Sequence, residues 1–243
     1  MWQLRLRQFQ FVVAFLSVST CLVRCQTLNE SVCTLGGWTH DLRNEAKQFG
    51  IGVIHIPRAM VRPTNVRWEL PIAATTGVLI AEADRPADNR IQSQNLIQTA
   101  STWSNVGLGL ELGSSAMLWG AGCHKHRSHA STAGFAALSA MGAAGTVDLA
   151  LKLAFDRQFP SRNSRGAFWG GGRSFPSGHA ATSFAFASAM AHYYAHDRWV
   201  KWSAYALATG VSLSRYPAKK HYLSDILVGG TIGYLAGDYV VSH

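Results

Sequence analysis

The chain has 243 residues, 48% of them hydrophobic and 14% charged, with a formal charge of +9 from 22 Lys and Arg against 13 Asp and Glu. An average soluble domain has roughly 25% charged residues, so this composition excludes a disordered chain and puts unusually much of the sequence in a core or against lipid. The length suits one domain with a sizeable core better than two, and the positive balance favours phosphate, nucleic acid or anionic lipid without choosing among them.

Residues 1–25 read as a signal peptide or N-terminal anchor. Arg5 and Arg7 give a basic start, and residues 11–23 are apolar but short for a membrane span. This predicts an exported, periplasmic or otherwise extracytoplasmic protein. Cleavage near Gln26 would leave Cys33 and Cys123, an even pair able to form a disulfide in an oxidising compartment. Residues 26–70 mix Gly, Asn, Pro and charges without sustained periodicity, which predicts an N-terminal extension with little regular structure.

From 71 to 243 the chain is rich in Ala, Gly, Leu and Ser, in segments of helical length separated by polar loops such as 84–90 and 122–131. The expected fold is an all-α bundle of about six helices, near 71–83, 92–119, 132–156, 178–196, 200–214 and 221–241. The stretches without acidic or basic residues at 128–147 and 174–196 contain Ser, Thr, Gly, Ala and His rather than Leu and Ile, favouring a soluble bundle or a protein at the membrane surface. Gly229, Gly233 and Gly237 recur every four residues in the last helix, giving it one face that a neighbouring backbone can approach.

The polar residues of these helices concentrate chemistry in a few places. Pro176 and Ser177 stand where a helix begins, ahead of Gly178 and His179. Unpaired N–H groups and the positive end of the helix dipole at such a start can hold an anion, with the Ser177 hydroxyl and the Gly178 amide as donors. Further on, Ser214 and Arg215 precede His221, and Asp225 follows His221 by four residues, on the same helical face. A carboxylate there can orient an imidazole and stabilise its charged form, suiting His221 to act as a nucleophile. Arg215 supplies a planar fork matched to phosphate. Before both lie Lys152 and a loop holding Arg157, Arg162, Arg165 and Arg173. The run from Cys123 to His129 resembles a metal-binding cluster, but Lys125 and Arg127 within it repel a cation, so it reads as a basic loop and no metal site is expected. No module or basic face for nucleic acid is present.

Together these pieces resemble the type 2 phosphatidic acid phosphatase and vanadium haloperoxidase superfamily, whose pattern is Lys-x6-Arg-Pro, then Pro-Ser-Gly-His, then Ser-Arg-x5-His-x3-Asp. The second motif is complete at Pro176, Ser177, Gly178 and His179, and the third at Ser214, Arg215, His221 and Asp225. In the first, Lys152 is followed at the expected place by Phe159 and Pro160, so the motif arginine is missing. The resemblance implies a hydrolase of phosphoric monoesters or lipid (pyro)phosphates that needs no cofactor and is inhibited by vanadate. Lys152, Ser177, Gly178 and Arg215 would bind phosphate oxygens, His221 would attack phosphorus, His179 would protonate the leaving group and Asp225 would orient His221. Arg157 and Arg162 are the candidates to replace the missing arginine. Two alternatives follow from the same motifs: an impaired member that only binds phosphorylated lipid or an anionic membrane surface, and, with less support, a vanadate-dependent haloperoxidase.

Overall fold

The computed structural model describes residues 66–84, 91, 93–125, 127–162 and 166–242. The signal or anchor segment, Cys33 and nearly all of the 26–70 extension lie outside the described residues. Within them the fold is all-α, with α1 (Val66–Val78) extended by a π-helical turn (Leu79–Ala83), then α2 (Gln94–His124), α3 (Ser128–Phe155), a 3₁₀ turn (Pro160–Arg162), α4 (Gly178–Tyr193), α5 (Arg198–Ser214) and α6 (Leu223–Ser242). The first helix begins at Val66, earlier than its sequence start at 71, with Pro71 inside it. Two helix starts have the chemistry expected of caps. The Ser93 hydroxyl accepts from Leu96 N–H, and Asp197 accepts from Trp199 and Val200 N–H.

The core is built from small residues rather than large ones. Ala133, Ala137, Ala140 and Ala144 of α3 meet Ala181, Ala185 and Ala189 of α4. Helices lined with methyl groups approach closely, and α4 sits centrally against α3, α5 and α6. The glycine ladder of α6 has the same purpose: an added methyl at Gly229, Gly233 or Gly237 would run into α4, at Ser177, Ala181 or Ala185 and Ser188. Substitution there would push α6 away from the start of α4, which carries the candidate site.

Between α2 and α4 lies a carboxyl group with no access to solvent. Glu111 accepts a 2.6 Å hydrogen bond from the Ser183 hydroxyl, and its other oxygen has no partner among the described residues. Burial outweighs the Ser183 bond and pushes the Glu111 carboxyl up from 4.5 to about 7. Folded protein therefore keeps a proton that unfolded protein releases between those values, and stability falls as pH rises through that window, by about 3 kcal/mol in all. Glu111→Gln is expected to flatten this slope in melting curves taken from pH 4.5 to 7. Equal slopes for the two proteins would show that Glu111 is not its source.

Candidate active site

Helix starts and ends converge at one end of the bundle. Lys152 comes from the last turn of α3, Ser177 and Gly178 open α4, Arg215 closes α5, and His221 and Asp225 flank the start of α6. The first turn of α4 is fixed to α6 by a 3.0 Å bond from Ser177 N–H to the Asp225 carbonyl. The Phe175–Pro176 peptide leading into it is cis. Ser177 is the N-cap of α4, yet its hydroxyl caps nothing: the oxygen is buried and has no partner among the described residues. Arg215 is also buried. One of its terminal nitrogens donates to the Ser104 hydroxyl at 2.8 Å, while Nε has no partner among the described residues. Burial lowers the Arg215 guanidinium to about 10, so it stays charged at neutral pH.

Lys152 is already engaged. Its ammonium donates to both oxygens of Asp148 at 2.5 and 2.6 Å and to the Pro176 carbonyl at 2.5 Å. Asp148 sits one turn earlier on α3, buried, and escaped the sequence reading because no motif includes it. Burial raises its carboxyl against the pull of Lys152, and burial likewise lowers the Lys152 ammonium against the pull of Asp148. Gly178 is required beside this pair, since a side chain there would come within 2.8 Å of Asp148 Oδ2.

The two histidines are held in different ways. His221 Nδ1 lies 2.6 Å from the Ser174 carbonyl, which fixes the neutral ring with its proton on Nδ1 and an electron pair on Nε2. Asp225 was expected to orient this ring. Instead its Oδ2 stands 3.8 Å from Nδ1, because Oδ2 accepts from Tyr222 N–H at 3.0 Å and Oδ1 from Arg157 at 2.5 Å. The Ser174 carbonyl orients His221, and Asp225 supplies negative charge nearby. Burial lowers the His221 imidazole in spite of Asp225. His179 is half-buried, with Nε2 3.0 Å from Asn105 Oδ1 of α2. Burial first, then the charges of Arg215, His221 and Lys152, lower it to about 3, so the resting ring is neutral.

Arg157 does not fill the vacancy left by the motif arginine. It is 1% exposed, donating to Asp225, to Ser224, to the Gly166 carbonyl and, at 2.9 Å, to Asp84. Its guanidinium also lies over the Tyr222 ring at 4.2 Å and the Phe168 ring at 4.9 Å. Every direction is used, so it is a structural cation that clamps Asp225. Asp84, which reads as the edge of a polar loop in the sequence, is buried as the second carboxylate of this clamp. Arg162 belongs to the 3₁₀ turn after Phe159, and its side chain lies outside the described residues, as does Arg165. Phe159 places its ring edge-on to His221, 6.4 Å between centroids. Among the described residues Arg215 has no carboxylate partner, whereas Lys152 and Arg157 do. Cys123 is disulfide-bonded, and in the former metal-like run His129 faces the Tyr193 carbonyl at 3.1 Å.

The PAP2 superfamily model matches residues 133–242. A 66-residue stretch is 36% identical to the Lipid A 1-phosphatase of Porphyromonas gingivalis, covering 27% of this chain and 15% of that relative's length. The fold is similar to that of a transmembrane PAP2 type phosphatidylglycerolphosphate phosphatase from Bacillus subtilis, with a TM-score of 0.53 and 21% identity over 71% of this chain and 94% of that one.

Proposed function

Residues 133–242 are a PAP2 superfamily domain, and on that premise we propose that the chain hydrolyses phosphoric monoesters or (pyro)phosphates of lipids through a covalent phosphohistidine at His221. The observation that supports this most is a pair of buried donors without partners among the described residues, Arg215 Nε, in one electrostatic cluster with Lys152, His179 and His221, and Ser177 Oγ, at the start of the helix that carries His179. Buried polar atoms are nearly always hydrogen-bonded, so two open ones in a cationic site suit an anion that completes them. Ser177, the Gly178 amide and Arg215 take phosphate oxygens, and Lys152 joins them as its bonds to Asp148 and Pro176 rearrange.

His221 Nε2 then attacks phosphorus while the bond from phosphorus to the leaving oxygen breaks. The phosphate charge raises the depressed His179 imidazole so that it holds a proton, which it passes to that oxygen. The phosphorylated ring keeps its Nδ1–H on the Ser174 carbonyl, and its positive charge faces Asp225. Water next attacks phosphorus with His179 as base, the phosphorus–nitrogen bond breaks, and His221 regains its electron pair. No step requires a metal ion, and vanadate, which adopts the same five-coordinate geometry, is expected to inhibit.

A lipid substrate is supported by the outer surface. Leu96, Trp103, Leu110 and Met117 repeat every seven residues along the exposed side of α2, and Trp199 and Trp202 are exposed on α5. Contiguous exposed apolar residues with tryptophan suit contact with a membrane. The helix His129–Phe155 is long and apolar enough to cross one, though 56% of its apolar window is buried inside the fold.

The second reading, binding with little turnover, draws on Phe159 and on the Asp148–Lys152 pair. Phe159→Arg distinguishes the two. A charge-assisted hydrogen bond contributes about 1.5–3 kcal/mol, so the new arginine should raise kcat/KM about ten- to hundredfold. The measurement is phosphate release from a lipid monophosphate in detergent micelles with EDTA present. Vanadate binding without release by either protein would favour the binder, and release only with an added divalent cation would contradict the proposed chemistry.

A further inference from the structure

The matched family segment begins at residue 133, yet two site residues reach back to adjacent positions on α2. Arg215 donates to Ser104, and His179 Nε2 meets Asn105 Oδ1. Ser104 is fully buried and its hydroxyl is itself anchored to the Ser101 carbonyl at 2.9 Å, so this part of α2 is fixed in place. Asn105 is exposed. An amide oxygen can only accept, so the contact puts the proton of the neutral His179 ring on Nε2 and leaves Nδ1 with the electron pair.

We propose that Asn105 is a positioning residue for leaving-group protonation: it fixes the rotation and tautomer of His179, so that Nδ1 is the nitrogen that takes up and delivers the proton. This rests on the phosphatase reading above. When phosphate occupies the site, Nδ1 gains a proton from solvent while Nε2–H stays on Asn105, whose carbonyl dipole then stabilises the imidazolium. The Nδ1 proton moves to the leaving oxygen as its bond to phosphorus breaks, and the neutral ring returns to the starting tautomer. The other charged or titratable groups facing His179 are Lys152 from α3, Arg215 from the end of α5 and His221 before α6. All of them oppose its protonation when charged. Asn105 is the polar contact that favours it.

Leaving groups of different basicity test this. A nitrophenolate departs without much help, whereas an alkoxide needs its proton, so a defect confined to the acid shows mainly on alkyl esters. Asn105→Ala is expected to lower kcat/KM, which covers only the steps up to departure of the leaving group, about tenfold or more for hexyl phosphate and less than about threefold for p-nitrophenyl phosphate. His179→Ala should show the same selectivity more strongly, with the double variant no worse than His179→Ala alone. Asn105→Asp keeps the acceptor and adds a charge, so it should retain alkyl phosphate hydrolysis and move the alkaline limb of the pH profile upward. Equal losses on both esters, or none, would overturn the proposal. Should wild type release phosphate from neither ester nor from a lipid monophosphate, the phosphatase reading itself falls. ¹⁵N NMR of His179 then tests the positioning separately: Nε2–H in wild type and a mixed tautomer in Asn105→Ala would uphold it, and unchanged spectra would overturn it.

Discussion

Replacing His221 by alanine is expected to lower kcat by about 10⁴-fold or more while leaving the fold intact, because on the proposed mechanism it deletes the atom that bonds to phosphorus. The proposed nucleophile is fixed by a backbone carbonyl, since Ser174 O accepts the Nδ1 proton at 2.6 Å, and Asp225 stands back at 3.8 Å. Loss of the Asp225 side chain should therefore leave a measurable remainder of turnover: the tautomer is still set by Ser174, while the charge facing the ring and the bonds from Arg157 and Tyr222 N–H are gone. Initial rates of both variants on one lipid monophosphate check the order. If His221→Ala retained the wild-type rate, the nucleophile would have to be another group.

The second large effect concerns stability. Arg157→Ala should lower the unfolding free energy by about 3–5 kcal/mol, because it strands the buried carboxylates of Asp84 and Asp225 without their cation. Lysine should not rescue it, since the guanidinium bonds Asp84 through one terminal nitrogen, Asp225 and Ser224 through the other, and the Gly166 carbonyl through Nε. Denaturant unfolding of the three proteins provides the measurement. An arginine that instead held substrate phosphate would, on removal, raise KM and leave the unfolding midpoint where it was.

The all-α fold was legible from segments of helical length between polar loops, and several helix starts carry local signals, whereas the first helix begins at Val66, ahead of the expected 71, and α3 has no side-chain cap. Ser93 and Asp197 mark starts, Pro176 and Ser177 mark another, and the glycine spacing of α6 does pack against α4. The motif residues are brought to one end of the bundle for the same reason, as they sit at helix termini in a compact all-α domain. Partnerships across the fold were not legible. Asp84 and Arg157 are 73 positions apart and Asn105 and His179 are 74 apart, so no periodicity or spacing links them. Arg157 illustrates the limit most clearly. Its place within the first motif suggests a phosphate ligand, but side chains two positions apart can meet different groups, and here Arg157 points into the protein toward Asp225 while Phe159 faces His221. Asp148 was missed because a carboxylate one turn from a lysine reads as an ordinary helix pair until burial and the nearby Pro176 carbonyl show that it occupies the ammonium.

The covalent intermediate is the most direct point of attack. Wild-type protein mixed briefly with a ³²P-labelled lipid monophosphate and quenched in alkali, where phosphohistidine survives and phosphoserine esters do not, should retain label on one peptide. The account predicts that mass spectrometry of that peptide places the phosphate on His221, that vanadate added beforehand suppresses it, and that His221→Ala shows none. Phosphate release at an undiminished rate with no label on His221 at any quench time, or label on a different residue, would contradict it.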